Sequence, residues 1–308
     1  MILHYERLSR YPTVFKAMTG LTVPQFDDLV TDLLPRYRHA EQLRHSRPER
    51  QRAIGAGHPF ELTPRNQCLL TVVWLRVYPI HEVLAYLFGI SDTTVSRIIA
   101  RVLPLLEASG RDTMRLPDPG RKRRRHLDAL LADTPDLAVV IDTFEQPVQR
   151  HKDRKQADTH YSGKKKRHTL KSQVAVDEET GNVADVAESA PGPTADIKLL
   201  EQSQLLERLQ EGVGGLGDLA YVGIDKLHPS GLGATPRRKP RGKDRPPEDV
   251  CYNRAFARRR IVVEHTIGRM RRYQAITQLD RNHRRNHTSR VRAVGGLVNR
   301  QRRGRCAA

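Results

Sequence analysis

Three acidic residues stand where a fold can gather them for metal-assisted chemistry. Asp142 lies in the apolar, β-branched run LAVVIDTF (137–144), Asp218 in the glycine-rich segment GVGGLGDLAYVG (212–223), and Glu264 in a helical stretch that begins near Pro247. Convergent carboxylates repel one another unless cations neutralise them, and hard oxygen ligands of this kind suit Mg²⁺ or Mn²⁺. Two such ions support phosphoryl transfer: one activates the attacking oxygen, and the other stabilises the leaving oxygen of an in-line displacement. Taken singly, each acid is weak evidence. An aspartate at a strand end is most often a solvated turn residue, and Glu264 has Arg260 one turn away at i,i+4 spacing, the pattern of a surface ion pair.

The elements that must position these acids follow from periodicity. The run 137–144 reads as a buried strand with Asp142 near its end, and residues 166–189 alternate about a turn at Gly181-Asn182, which predicts a β-hairpin with strands 170–176 and 183–188. A helix is predicted over 194–209, with Ile197, Leu200, Leu205 and Leu209 on its apolar face, followed by the short strand that carries Asp218. Residues 228–249 are rich in glycine, proline and cations and read as a mobile surface insertion. The last helix is predicted over 247–273, with Phe256, Val263, Ile267 and Met270 on one stripe. At about 100° per residue, Arg260 and Arg271 fall within about 40° of Glu264. The order describes an α/β fold, a mixed sheet flanked by helices, and function in such sheets concentrates at strand C-termini.

The N-terminal part reads as all-helical. A helix starts at the cap Thr22, buries Phe26, Leu29 and Leu33, and is expected to end at Pro35; a second opens at Thr63-Pro64, runs through Leu69, Val72, Val73 and Leu75, and closes at Pro79. Between them 44–57 reads as a charged linker. HEVLAYLF (81–88) and DTTVSRIIARVLPLL (92–106) have the form of a helix-turn-helix: small Ala85 where the helices cross, Gly89 for a left-handed turn, and Val95 and Ile98 gripping the core. Ser91 caps the second helix, leaving Thr93, Thr94, Arg97 and Arg101 as candidate DNA contacts. An ordinary helical hairpin is the alternative. The domains read as 1–115 (helix-turn-helix at about 62–106), a basic linker 116–135 that includes PDPGRKRRRH, a catalytic domain 136–280, and a basic tail 281–308.

Composition points to a polyanion. The 308 residues carry a formal net charge of +19, with 54 cations against 35 acids and a pI near 10.3. Of those cations 42 are arginine, whose planar fork suits phosphate and guanine edges; codon bias accounts for most of the preference for arginine over lysine but not for the excess of cations over acids. Lys164, Lys165, Lys166 and Arg167 precede a strand predicted beside Asp142, where they can hold a scissile backbone, although a solvated turn explains them nearly as well. Glu145 is read as a surface acid or as a base acting on a metal-bound water, Asp196 as the complement of a helix N-terminus, and His283 and His287 as exposed or phosphate-contacting rather than metal-binding. Cys68, Cys251 and Cys306 lack any paired spacing, which fits a reducing cytoplasm, and no apolar run suits a membrane span.

With those stretches in view the chain resembles bacterial insertion-sequence transposases of the Harbinger-like DDE endonuclease group. The resemblance rests on IDTFEQPVQR at Asp142, YSGKKKRHTLKSQ from Tyr161, PGPTADIKLL from Pro191, GDLAYVG at Asp218, and NRAFARRRIVVEHTIGRMRRY at Glu264, together spanning about 139–273. It implies an RNase H-like catalytic domain behind a helix-turn-helix, two divalent ions held by Asp142, Asp218 and Glu264, and double-stranded DNA partners, namely terminal inverted repeats and target. Cutting and joining two ends further implies a homo-oligomer of at least two copies. The family pattern about the glutamate is Tyr, two residues, Arg, three residues, Glu, six residues, Lys. Arg260 and Glu264 match it, Arg271 replaces the Lys, and Ala257 stands at the Tyr position. Relatives often have Gly-Thr-Glu after the first acid where this chain has Thr143-Phe144-Glu145, and His-Asp where it has Ala195-Asp196. Two rivals remain: an inert helix-turn-helix regulator, and an RNase H-like nuclease that only hydrolyses DNA.

Overall fold

A computed structural model describes residues 2–46, 60–120 and 129–303. Of the expected linkers, 47–57 of the first and 121–128 of the second lie outside these residues, as does Cys306; residues 44 and 45 belong to a helix, and 129–135 hold a short 3-10 turn with Leu131 and Thr134 buried. The chain forms two compact units, one of Met1–Thr113, Arg272–Ile276 and Arg292–Ala308, the other of Met114–Arg271 and Thr277–Val291. Among the described residues no single helix is long and apolar enough to cross a membrane.

The first unit is helical: α1 (Tyr5–Leu8), α2 (Pro12–Thr19), α3 (Val23–His45), α4 (Pro64–Val77), α5 (His81–Phe88) and α6 (Asp92–Arg111). Thr22 closes a capping box with Gln25, and Pro24 sits in the first turn of α3, where its missing N–H has no partner to lose. The expected stop at Pro35 is wrong, because α3 passes through it to His45. Proline removes one backbone hydrogen bond, but Leu33 and Tyr37 on either side continue the buried face of Phe26, Leu29 and Val30. Pro104 is likewise carried inside α6, which extends past the expected end to Arg111 over buried Val95, Ile98, Val102 and Leu106. α4 is the unit's core helix, buried from Asn66 to Leu75, and ends at Tyr78 (φ 54°) just before Pro79. The α5–α6 pair turns through 97°, with Gly89 at φ 66° and Ser91 accepting from the Thr94 N–H at 3.1 Å, the geometry of a helix-turn-helix.

The second unit holds β1 (Leu137–Pro147), α7 (Arg154–Asp158), β2 (Tyr161–Ser162), β3 (Arg167–Asp177), β4 (Val183–Val186), β5 (Ala190–Pro191), α8 (Asp196–Ser203), β6 (Val213–Leu216), α9 (Ile224–Leu227), β7 (Gly233–Ala234) and α10 (Pro247–Met270). The strands lie in the order β2-β3-β1-β6-β7, with β4 and β5 also paired to β3. β1 is antiparallel to β3 from Val139↔Asp177 to Pro147↔Thr169, and parallel to β6 from Leu137↔Val213 to Val140↔Leu216. One face carries the core of Val139, Ile141, Leu200, Leu205, Leu206, Tyr221 and Ile224, while α10 packs on β1 and β3 with Phe256, Val263, Ile267 and Met270 buried. This mixed sheet flanked by helices is the RNase H-like arrangement.

Three expectations here need correction. The helix predicted over 194–209 stops at Ser203, whose hydroxyl donates to the Leu200 carbonyl and accepts from the Leu205 N–H; Gln204 then turns left-handed (φ 50°), which drops Leu205 and Leu206 into the core. The region 228–249 is not all surface. Its residues Gly233 and Ala234 pair with β6 as the sheet's last strand, and buried His228 bonds the Val213 carbonyl at 2.9 Å. A side chain at Gly233 would come within 2.6 Å of the Asp225 backbone, so this approach needs glycine. Finally, the region read as a basic tail forms α11 (His287–Arg303), with Val291, Val294, Leu297 and Val298 buried.

His287, read as exposed or phosphate-bound, is buried instead, with its ring nitrogens 2.7 Å from Ser189 Oγ and 2.9 Å from Gln146 Oε1. Burial, and then the positive charge of Arg290, lower its pKa from 6.5 to about 3. The unfolded chain takes up this proton below about 6.5 and the folded chain only near 3, so the group's contribution is complete above 6.5 and is lost as pH falls. At pH 5 the loss amounts to about 2 kcal/mol at 1.36 kcal/mol per pKa unit. Urea unfolding of His287→Gln at pH 7 and pH 5 should therefore show a stability difference smaller than wild type by about that amount. Identical pH dependence in the two proteins would count against a neutral buried imidazole.

Candidate active site

The sheet places two of the three sequence-predicted acids side by side. Parallel pairing between β1 and β6 ends at Val140↔Leu216, and Asp142 and Asp218 each lie two residues further along, beyond the last pair. Strands in register are about 4.8 Å apart, so continuing that register sets the two aspartates opposite each other. β1 itself runs on past Asp142 to Pro147 because β3 still pairs with it, so the acid sits mid-strand on one side and past the strand end on the other. Asp142 Oδ1 accepts from the Thr143 N–H, and Asp218 Oδ1 accepts from the Ala220 N–H, each at 2.8 Å, which fixes both carboxylates by their own backbone.

Burial raises the Asp142 carboxyl above its ordinary range; the Thr143 N–H and Arg260 lower it, while Asp218 and Asp196 raise it further. Negative charge is thus concentrated in a poorly solvated place, the condition a divalent cation relieves. The hard carboxylate donors of the aspartate pair fit Mg²⁺ or Mn²⁺. Tyr221, which the sequence reading missed, adds a buried hydroxyl without a hydrogen-bond partner among the described residues, its pKa raised by burial and by Asp196, Asp142 and Asp218. Gly217 makes room for it, since a Cβ there would lie 2.5 Å from Tyr221 Cβ.

Glu264 is not brought into the pair. It is exposed on α10, and the described residues contain no group of three His, Cys, Asp or Glu side chains placed to hold an ion. The α10 side chain nearest Asp142 among the ion pairs is Arg260, with Nη2 at 4.0 Å from Asp142 Oδ2. The guanidinium one turn before Glu264 thus supplies a positive charge beside Asp142.

Beside Asp142 opens a cleft of about 630 Å³ lined by Thr143, Phe144, Glu145, Lys164, Lys165, Lys171, Asp196 and Arg271, among others. Lys166 and Arg167 are exposed and do not line it. Lys171, also missed, is buried with Nζ 2.6 Å from both Asp196 Oδ1 and the Thr194 carbonyl. Its signal was a lysine in the middle of an apolar strand. Asp196 stands in the first turn of α8, where it complements the helix dipole and also pairs with Lys171. Glu145 is half-buried and accepts from Thr169 Oγ1 at 2.7 Å.

In the helical unit Thr93 and Arg97 on α6 are exposed, and Thr94 Oγ1 lies 2.9 Å from the Ser91 hydroxyl. Arg101 is folded inward. It pairs with Glu41 at 3.2 Å, donates to Gln67 Oε1 at 3.1 Å and lies over the Phe60 ring at 4.3 Å.

Comparison with known proteins identifies the family of the chain. Residues 141–299 match the family described as DDE superfamily endonuclease, and residues 60–112 the family described as helix-turn-helix of DDE superfamily endonuclease. A curated protein of Microchaete diplosiphon, named as a transposase for insertion sequence element IS702, is 27% identical over 285 residues, covering 92% of this chain and 93% of its own length. Another from Streptomyces albus G, named as a transposase for insertion sequence element IS112, is 24% identical over 266 residues, 86% of each chain. No solved structure matches the chain.

Proposed function

Because the chain belongs to the DDE superfamily endonucleases, we propose that it is an insertion-sequence transposase that binds the ends of its element, cuts DNA there and joins the cut ends to a target. The observation that carries this reading is the adjacency of Asp142 and Asp218 just past the paired ends of two parallel strands. Asp142, Asp218 and Glu264 would hold divalent metal, two Mg²⁺ or Mn²⁺ ions, once Glu264 turns inward. When bound, the ions supply charge neutralisation and activation of the attacking oxygen.

The chain's own residues bind and orient. Lys164, Lys165 and Arg271 around the cleft, with Lys166, Arg167 and Arg260 nearby, hold the scissile strand by its phosphates. Thr93, Thr94 and Arg97 on α6 face the element end in the groove, and Arg101 reaches DNA only by leaving Glu41. The fixed Asp142 and Asp218 carboxylates set the site of attack, and the buried face of α10 keeps Glu264 on a rigid support. Two ends joined to one target call for at least two copies in the synaptic complex.

An oligonucleotide assay tests the proposal. Duplexes ending in the inverted repeats that flank the gene are incubated with the full chain, target plasmid and Mg²⁺. The expected result is cutting at the repeat ends followed by joining, abolished by EDTA. Cutting without joining would favour a hydrolytic nuclease, and binding without cutting an inert regulator.

A further inference from the structure

The outward side of α10 carries a charge pattern that the acid site does not use. On this 24-residue helix, Tyr252, Phe256, Arg259, Val263, Ile267 and Met270 are buried, while Arg254, Arg258, Ile261 and His265 are exposed. At 100° per residue those four fall on one stripe about 60° wide, roughly 60–120° around the helix from Glu264. Solvated helix faces ordinarily mix signs, since like charges at i,i+4 destabilise a helix. Here Glu264 is the single acid between Val250 and Tyr273, and neither Arg254 nor Arg258 forms an ion pair among the described residues.

We infer that this stripe is a track for the backbone of duplex DNA, with Arg254 and Arg258 each engaging a phosphate. It rests on the DNA-cutting reading and adds to it a third contact surface, distinct from the cleft and from α6. Charge complementarity selects the occupant: adjacent, like-charged, unpaired guanidinia suit a polyanion. Length fits as well. From Arg254 to His265 the helix rises about 16 Å, the axial span of about five base pairs at 3.4 Å each. Ile261 (48% exposed) lies between the two arginines and His265, where it meets sugar rather than phosphate.

The test is a salt titration of binding in the full-length protein. Affinity for a 30-base-pair duplex unrelated to the element is measured by fluorescence anisotropy between 50 and 300 mM KCl, with EDTA present. Each phosphate contact contributes about 0.9 to the slope of log K against log salt. R254Q/R258Q should therefore flatten the slope by about 1.8, with an unchanged circular dichroism spectrum. The control K226Q/R208Q removes two exposed charges elsewhere on the same unit and should leave the slope near wild type. An unflattened slope in R254Q/R258Q, or equal flattening in the control, overturns the inference. So does a variant that keeps its slope but loses self-association in sedimentation, which would assign the stripe to a second copy. Because binding is read without metal, a wild type that fails to cut element ends would sink the catalytic reading separately.

Discussion

Asp142→Asn should abolish DNA cleavage while leaving the protein folded and its DNA affinity within about twofold of wild type. Loss of a residue that merely supports a metal ligand costs roughly 10–100-fold. Loss of a ligand itself should exceed that, on the order of 10³-fold or more, which is about 4 kcal/mol of barrier. Asparagine retains the oxygen that accepts from the Thr143 N–H, so β1 keeps its local geometry. Stability should not suffer. The Asp142 carboxyl is raised chiefly by burial, so its ionised form at neutral pH weakens the folded state, and that burden grows as pH rises through the folded pKa. The metal-free variant should melt at or above the wild-type Tm at pH 7. Cleavage within tenfold of wild type, or a lower Tm, would refute this role for Asp142.

The second large effect lies in the clamp behind the site. Arg259 is buried on α10 and donates from Nε and Nη2 to Glu178 at 2.8 and 2.7 Å, from Nη1 to Thr134 Oγ1 at 2.7 Å, and from Nη2 to the Pro135 carbonyl at 2.7 Å. One side chain thus ties the helix bearing Arg260 and Glu264 to the turn after β3 and to the segment leading into β1. Removing one partner of a buried pair leaves an uncompensated charge, at a typical loss of about 3–5 kcal/mol. Arg259→Ala should lose that much in urea unfolding. The double variant R259M/E178M should recover most of it, since neither buried charge then remains. Less than about 1 kcal/mol lost in the single variant would show that the clamp is dispensable.

Local chemistry made much of this architecture readable from the sequence. The helix-turn-helix is set by Gly89, the Ser91 cap and the Val95 and Ile98 spacing, all within a few residues of one another. The hairpin turn is similarly local: the Asp177 carbonyl accepts from the Gly181 N–H, and Asp177 Oδ1 accepts from the Glu179 and Thr180 N–H groups.

What escaped depends on distant partners. β7 is two residues, Gly233 and Ala234, too short for strand propensity to mark, and Gly233 also has to pass against the Asp225 backbone. α11 hides an apolar stripe among arginines. One of them, Arg290, is fully buried against Asp280. α11 also packs through a glycine pair, since a Cβ on Gly296 would lie 2.2 Å from the Gly110 Cα, and two glycines 186 positions apart give no sequence signal. At the site, strand register carries Asp142 and Asp218 together, which the order of elements anticipates. From α10 it is Arg260, one turn from Glu264, that reaches Asp142, and its guanidinium has the sign that attracts a carboxylate. Lys171, Tyr221 and Arg259 are charged or polar groups inside apolar patterns, where burial rather than spacing shows their importance.

The central claim is that Asp142, Asp218 and Glu264 share divalent metal when DNA is bound. Anomalous scattering from crystals of the protein with a duplex end and Mn²⁺ tests it most directly. The expected map has a manganese peak within about 2.0–2.3 Å of Asp142 and Asp218 oxygens, with Glu264 turned in as a further ligand and Arg260 moved off Asp142. A peak elsewhere, or Glu264 still on the surface with Arg260 still against Asp142, would contradict it.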